Sequence, residues 1–516
     1  MKVTESTLSK PISQMIDQIS PQNNFHILSH GSITSLENDL TGFRISTDPL
    51  YADFSLEYLF SQSIGCQKVK DSEKRQVFLI QTPDSDYFLK LSRLIRDKDR
   101  FRHAILPQRK WAEWKNLKRF QRLGITAAEP IAKGSRQSPP PENFFILTKK
   151  INGRHVNGQT LSEAKALGRY IAHLHSRGIY HADLHPENII IAPKNQPFLI
   201  DVQEVFFLHH LPRRLRIYNL GKFFFQLDLQ HLNPSWMKEF IKAYNEAFKH
   251  PITKIEVEKA AVIHFRRRLR SRTNRCCKNS TEFEVIRKPQ FKGYKKRNFN
   301  WGRQELEKAL LEATSLKEDK VFKYHDVCIK IHPRKLFHCD RCFTSWKVSR
   351  ALEILGIPVP QAYAYFKVKT KSYFLSELLI ASMTLNDYLS SLTNRQEKRQ
   401  AIIKFALWMK KIHDHQIRQR DFKSSNVLCK NGEYFMIDLD SVKIGRLTDK
   451  QRIINLAQLN ASLSNMIACK DRLRFFYYYA ATDEHSRNRR RSIYKKVWEI
   501  SQTKNTKIFN LDLKKI

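Results

Sequence analysis

The chain is short of acid. It carries 50 Asp and Glu against 91 Lys and Arg, a formal net charge of +41. It has only eight cysteines in 516 residues. That fits a reducing compartment better than a disulfide framework. No apolar run is long enough to span a bilayer. The opening stretch, MKVTESTLSKPISQMIDQIS, lacks the apolar core of a secretory signal. These absences argue against a disulfide-stapled secreted domain and an integral membrane protein. The expected location is the cytoplasm.

What is present argues for packed domains. Hydrophobic residues make up 41% and Phe alone numbers 33, enough to build cores and too much for a disordered chain. The length exceeds one ordinary core and suits two or three domains. The basic surface seeks anions: nucleic acid, an anionic membrane face, or an acidic glycolipid. Charge alone does not choose among them, and a solvated basic surface is the plain alternative.

The chain repeats itself on the scale of a domain. WAEWKNLKRFQRLGITAAEPIA (111–132) lines up with FTSWKVSRALEILGIPVPQAYA (343–364), so Trp114 falls on Trp346 and Gly124 on Gly356. FFILTKKINGR (144–154) matches SYFLSELLIAS (372–382). HADLHPENIII (181–191) matches QRDFKSSNVLC (419–429), placing Asp183 on Asp421. PFLIDVQEV (197–205) then matches YFMIDLDSV (434–442), and RIYNLGKF (216–223) matches RIINLAQL (452–459). Matches in the same order at nearly the same offset indicate two homologous domains. Their boundary is expected near the basic stretch FRRRLRSRTNRCCK (265–278).

The coarse structure repeats too. YFLKL (87–91) and DVCIKIH (326–332) read as short strands, each with a Lys inside. RKWAEWKNLKRFQRLG has helical spacing and stops at Gly124. LSEAKALGRYIAHLHSRG (161–178) and AIIKFALWMKKIHDHQ (401–416) are amphipathic helices. Each precedes an Asp-bearing polar loop, a strand, a turn, and a second strand ending in Asp.

Phosphoryl transfer from ATP needs parts in that order. A cation must hold the α/β-phosphates, and Lys90 is placed for it. A helical carboxylate should fix that Lys, and Glu113 is on the next helix. A carboxylate must orient the accepting hydroxyl, a role for Asp183. Two further oxygen ligands must hold Mg²⁺, and Asn188 and Asp201 offer them. Asp183 and Asn188 keep the spacing of the kinase pattern H-R-D-x-x-x-x-N, with His181 where its His stands. Taken singly, each residue has a plainer role: an edge-strand Lys, a solvated helix Glu, an Asp that caps or turns. Their joint order carries the reading. His185 contacts phosphate or merely packs.

With these residues the chain resembles the lipopolysaccharide kinase family, whose members phosphorylate heptose or 3-deoxy-manno-octulosonic acid in the lipopolysaccharide inner core. LIDVQEV and MIDLDSV stand where eukaryotic-type kinases have D-F-G, and neither has a glycine after the Asp. No G-x-G-x-x-G precedes Lys90 or Lys330, as is usual in that family. The resemblance implies an α+β fold: two tandem protein-kinase-like bilobal domains, each an antiparallel β N-lobe with one main helix and a helical C-lobe. ATP and Mg²⁺ are the implied cofactors, with ATP between the lobes. The hinge is expected at 147–153 and 376–382. The domains expected are an extension at 1–45, a first kinase at 46–265, a second, divergent one at 266–485, and a basic segment at 486–516.

The two copies differ. The second keeps Lys330, Asp421, Asn426 and Asp438, but Ser345 falls on Glu113 and Gln419 on His181. Glu353 is the nearest later carboxylate, two turns along the helix. Lys423 follows Asp421 where protein kinases often have a phosphate-contacting Lys. The first domain is therefore expected to be the principal kinase, and the second either a kinase of different sugar specificity or a degenerate scaffold. Two rivals stand beside this reading: a protein or other small-molecule kinase, and a basic pseudokinase that only binds. Nucleic acid is disfavoured, because no RNA-binding signature accompanies the charge. HCDRC (338–342) is one C-x-x-C, a weak zinc signal. SRNRRRSIYKKVWEI (486–500) reads as a surface helix. It also offers a basic face to the anionic inner face of the inner membrane, where glycolipid acceptors are exposed.

Overall fold

A computed structural model describes residues 29–30, 33–73, 75–93, 110–136, 143–227, 233, 235–317, 320–334, 339–445, 447–463, 467–480 and 487–506. The chain divides into two compact units, one ending at His264 and the next starting at Phe265. Each unit is α+β and bilobal, with an antiparallel sheet in the small lobe and mostly helices in the large one.

Among the described residues the first small-lobe sheet has seven strands. From one edge they run Ser29–His30, Gly65–Ser72, Arg75–Gln81, Asp86–Arg93, Asn143–Lys149, Pro130–Arg136 and Arg44–Thr47. Asp86–Arg93 forms a strand because its apolar residues alternate: Leu89 and Leu91 enter the small-lobe core, and Lys90 between them faces the other side. The second sheet also has seven strands. The comparable run is Thr314–Lys317, Val321–Tyr324, Val327–Pro333, Lys371–Glu377 and Ala362–Val368, with Phe291–Lys296 and Phe283–Lys288 at the far edge. Lys90 lies opposite Val77 and Ile146, and Lys330 opposite Val321 and Phe374, so the lysines hold the same register.

One main helix packs under each sheet. Ala112–Arg122 buries Trp114, Leu117 and Phe120 at the three-residue spacing of a single face. Its counterpart is Arg341–Ile354, one turn longer at the start and capped by Asp340. The chain leaves both helices through a glycine in the left-handed region, Gly124 (φ +66°) and Gly356 (φ +60°).

The large lobes open with Leu161–Ser176, capped by Thr160, and Arg395–Asp414, capped by Asn394. Each leads into a short strand, a loop and a hairpin: Ile189–Ala192 with Gln196–Leu199, and Val427–Lys430 with Glu433–Met436. Among the described residues three further α-helices follow the first hairpin before the second sheet begins, the last of them, Lys254–Thr273, running past His264, and three follow the second hairpin. All eight cysteines are free thiols.

The C-terminal helix Arg487–Thr506 buries Val497 and Ser501, and Ser501 Oγ donates to the carbonyl of Ala457 at 3.3 Å. Its apolar side is thus spent on its own unit, while Lys495 and Lys496 stay exposed. The segment is a surface helix with its described basic side chains toward solvent. Among the described residues no helix is long and apolar enough to cross a membrane.

Candidate active site

The expected residues of the first unit converge. Lys90 Nζ lies 2.5 Å from Glu113 Oε1, and Glu113 is buried. The loop after Ile179–His181 carries Asp183, and His181 braces it by accepting the Asp183 N–H on Nδ1 at 3.1 Å. The Asn188 amide donates to the Asp183 carbonyl at 3.0 Å, which leaves its oxygen as the group able to meet a metal. The Ile200 N–H donates to the Asn188 carbonyl at 2.9 Å, bringing Asp201 beside Asn188. Asp201 itself sits in the left-handed region (φ 54°, ψ 58°). A non-glycine residue held there is strained, and such strain gathers at functional sites.

Sequence reasoning missed two basic residues here. Lys222, on helix Arg213–Phe225, donates to Asp183 Oδ1 at 2.7 Å and to the Ala182 carbonyl at 2.5 Å. Arg75, where the hairpin returns into strand Arg75–Gln81, lies 3.8 Å from Glu113 Oε2 and 3.7 Å from Asp201 Oδ2. It also donates to Gln203 Oε1 at 2.9 Å. Neither basic residue keeps a fixed spacing to its partners, so only the fold could bring them in. RIYNLGKF, noted as a repeat, was the one signal for Lys222.

Electrostatics fix the protonation states. The hydrogen bond from His185 and the Lys222 ammonium hold the Asp183 carboxyl well below the usual carboxylate range, against burial. His185 Nε2 lies 3.5 Å from Asp183 Oδ2, so it neighbours the carboxylate rather than only packing. Burial, partly offset by Asp183 and Asp201, lowers His181 to about 4, so it is neutral at pH 7.

The second unit repeats the frame with different parts. The Asn426 amide donates to the Asp421 carbonyl at 2.8 Å. The Ile437 N–H reaches the Asn426 carbonyl at 3.0 Å, and Asp438 is again left-handed (φ 59°, ψ 50°). Gln419 replaces the bracing His and donates to the carbonyls of Ile437 (2.8 Å) and Asp438 (3.1 Å). Gln458 replaces Lys222 and donates to the Arg420 carbonyl at 2.7 Å. The cation beside the loop Asp is now Lys423, 3.0 Å from Asp421 Oδ2. Lys330 ion-pairs with Asp438 and, at 3.2 Å, with Asp440. Burial opposes the Lys330 charge, but Asp440 and Asp438 outweigh it and raise its pKa.

The donor sets suit Mg²⁺. Each unit offers one carboxylate and one amide oxygen, hard ligands of the kind Mg²⁺ takes, which a nucleotide's phosphates and water would complete. Zinc at the C-x-x-C gains no support: Cys342 is buried with its thiol on the Lys330 and Ser372 carbonyls, and Cys339 is exposed. Among the described residues no group of three or more His, Cys, Asp or Glu could hold a metal. His338 lies outside the described residues.

Residues 81–244 and 331–479, more than half of the chain, match the Lipopolysaccharide kinase (Kdo/WaaP) family. No curated protein matches the chain. Several solved structures are similar. WaaP in complex with acyl carrier protein is 18% identical, with 43% of this chain and 97% of that chain covered and a TM-score of 0.31. An aminoglycoside-3'-phosphotransferase of type VIII is 15% identical, with 42% and 98% covered and a TM-score of 0.31. A putative fructosamine-3-kinase from Haemophilus somnus 129PT is 14% identical, with 43% and 91% covered and a TM-score of 0.28.

Proposed function

The chain belongs to the Lipopolysaccharide kinase (Kdo/WaaP) family, and on that premise we propose that it moves the γ-phosphate of ATP to a hydroxyl of an inner-core sugar, heptose or 3-deoxy-manno-octulosonic acid. It is a phosphotransferase with a hydroxyl acceptor. The first kinase domain, 46–265 in this proposal, is the principal site; 266–485 is the second. The observation that carries the ranking is the Lys90–Glu113 pair, made between a strand and the main helix and backed by Asp183, Asn188 and Asp201.

The residues divide the work. Lys90, fixed by Glu113, holds the α/β-phosphates. Asn188 and Asp201 would hold Mg²⁺, which supplies charge neutralisation between the phosphates when bound. Asp183 stays ionised and aims the acceptor hydroxyl. Its depressed pKa makes it a weak base, which suits a loose transition state in which the hydroxyl proton leaves late. Lys222 locks the Asp183 carboxylate to the loop's own carbonyl and fixes that aim.

The basic surface suits an acceptor in an anionic glycolipid. Arg266, Arg267 and Arg270 on helix Lys254–Thr273 are exposed, as are Lys495 and Lys496. We place the enzyme at the inner face of the inner membrane by charge, without inserting a helix. Radiolabelled ATP offered with purified core glycolipid, free heptose, free octulosonic acid and a generic protein tests the reading. Label is expected in the glycolipid. Label in the protein alone contradicts it.

A further inference from the structure

The main helix of the second unit supplies no carboxylate to its lysine. Ser345 stands where Glu113 does, 1% exposed, and its Oγ has no partner among the described residues. Cys342 of the same helix bonds the Lys330 carbonyl at 3.4 Å, so the helix lies close on the strand. Glu353 is engaged elsewhere, with Lys296 at 3.3 Å and Arg350 at 2.8 Å. Lys330 turns instead to the segment after the hairpin. One oxygen of Asp440 meets Lys330 at 3.2 Å, and the other meets Arg341 from the helix's first turn. The Asp440 side chain is 2% exposed.

We propose that Asp440 is the positioning residue for Lys330, and that the second unit is thereby a second nucleotide site. This rests on the phosphotransferase reading above. Asp438 is the candidate metal carboxylate and cannot serve as the lysine's standing partner. Asp440 can, because burial and Arg341 fix it independently of any ligand. The place in the fold is not accidental. Gln203 holds the matching position in the first unit, two residues after Asp201, and there it receives Arg75 at 2.9 Å. In both units this position takes a cation; only in the second does it carry charge. The remaining parts are kept: Asp421, Asn426, the left-handed Asp438, and Lys423.

Titration calorimetry of the full chain with Mg²⁺ and a non-hydrolysable ATP analogue tests this without turnover. Wild type is expected to bind two equivalents. Lys330→Ala and Asp440→Asn are expected to bind one, or to weaken the second at least tenfold, while the circular dichroism spectrum shows the chain still folded at the assay temperature. Asp440→Glu, which keeps the charge, is expected to retain the second site. Wild type binding one equivalent that Lys90→Ala removes and Lys330→Ala does not touch would overturn the proposal and leave the first site standing. Asp440→Asn binding two equivalents as tightly as wild type would also overturn it. No binding at all would overturn the phosphotransferase reading itself.

Discussion

In the first unit the strand lysine, Lys90, takes its carboxylate from the main helix; in the second, Lys330 takes its carboxylates from the segment after the hairpin. A second exchange accompanies the first. The first unit sets Lys222 from a distant helix on its loop Asp, Asp183, and the second sets Lys423 from the loop itself on Asp421 and puts neutral Gln458 in the helix position. Charge is conserved around each site while the element that delivers it changes. The lesson is that a missing residue in an aligned helix does not by itself mean a dead site. What counts is whether a group of the same charge reaches the same atom.

Changes that erase this difference sharpen the comparison. The largest effect is expected from Lys90→Ala, which removes the lysine of the principal site. Steady-state kinetics should show kcat/KM falling about 10²–10³-fold, the loss typical of one preorganised charge donor. The same change at Lys330 should leave most transfer intact. Next comes Lys222→Gln, which imitates Gln458. It should lower kcat about tenfold or more, with the KM for ATP little changed, because Asp183 loses the group that aims it. A change confined to KM would mean that Lys222 serves binding instead. Arg75→Ala should raise the KM for ATP about tenfold, because Glu113 and Asp201 lose the guanidinium that lies between them; an unchanged KM would show that Arg75 does not help to shape the nucleotide site.

The smallest effect is a pH dependence of stability. Burial lowers His175 and His181 to about 4, and the second unit has Gln419 in the place of His181. Above pH 6.5 these histidines are neutral both folded and unfolded and contribute no slope. Below it the unfolded chain takes up protons that the folded one refuses, so stability falls until about pH 4. Each such His contributes up to about 1.4 kcal/mol per pH unit in that window. His181→Gln should therefore narrow the gap between urea midpoints measured at pH 7 and pH 5. An unchanged gap would show that His181 titrates normally.

Much of this was legible in the sequence because it depends on local spacing. The strand lysines, the Asp-to-Asn interval of each loop, and the Asp closing each hairpin lie within single supersecondary motifs, and the repeat identified them twice. The helix stop at Gly124 was readable because only glycine enters the left-handed region freely. The same conformation at Asp201 and Asp438 was not, since nothing in the residue type announces it. Arg75, Lys222 and Arg341 were hidden because their partners come from remote elements at no fixed interval. Asp440 lay in plain view within IDLD, but its bond to Lys330 exists only once the hairpin is folded under the sheet. Ser345 pointed toward loss, and only the fold showed where the carboxylate had gone.

The ranking of the two sites can be read directly by comparing Asp183→Asn with Asp421→Asn, each assayed for phosphate transferred to purified core glycolipid. The first variant is expected to lose transfer by about 10²-fold or more, the scale of a positioned acid–base group, and the second to keep most of it. Loss of transfer in Asp421→Asn alone, with Asp183→Asn active, would contradict the assignment of the first unit as the principal kinase.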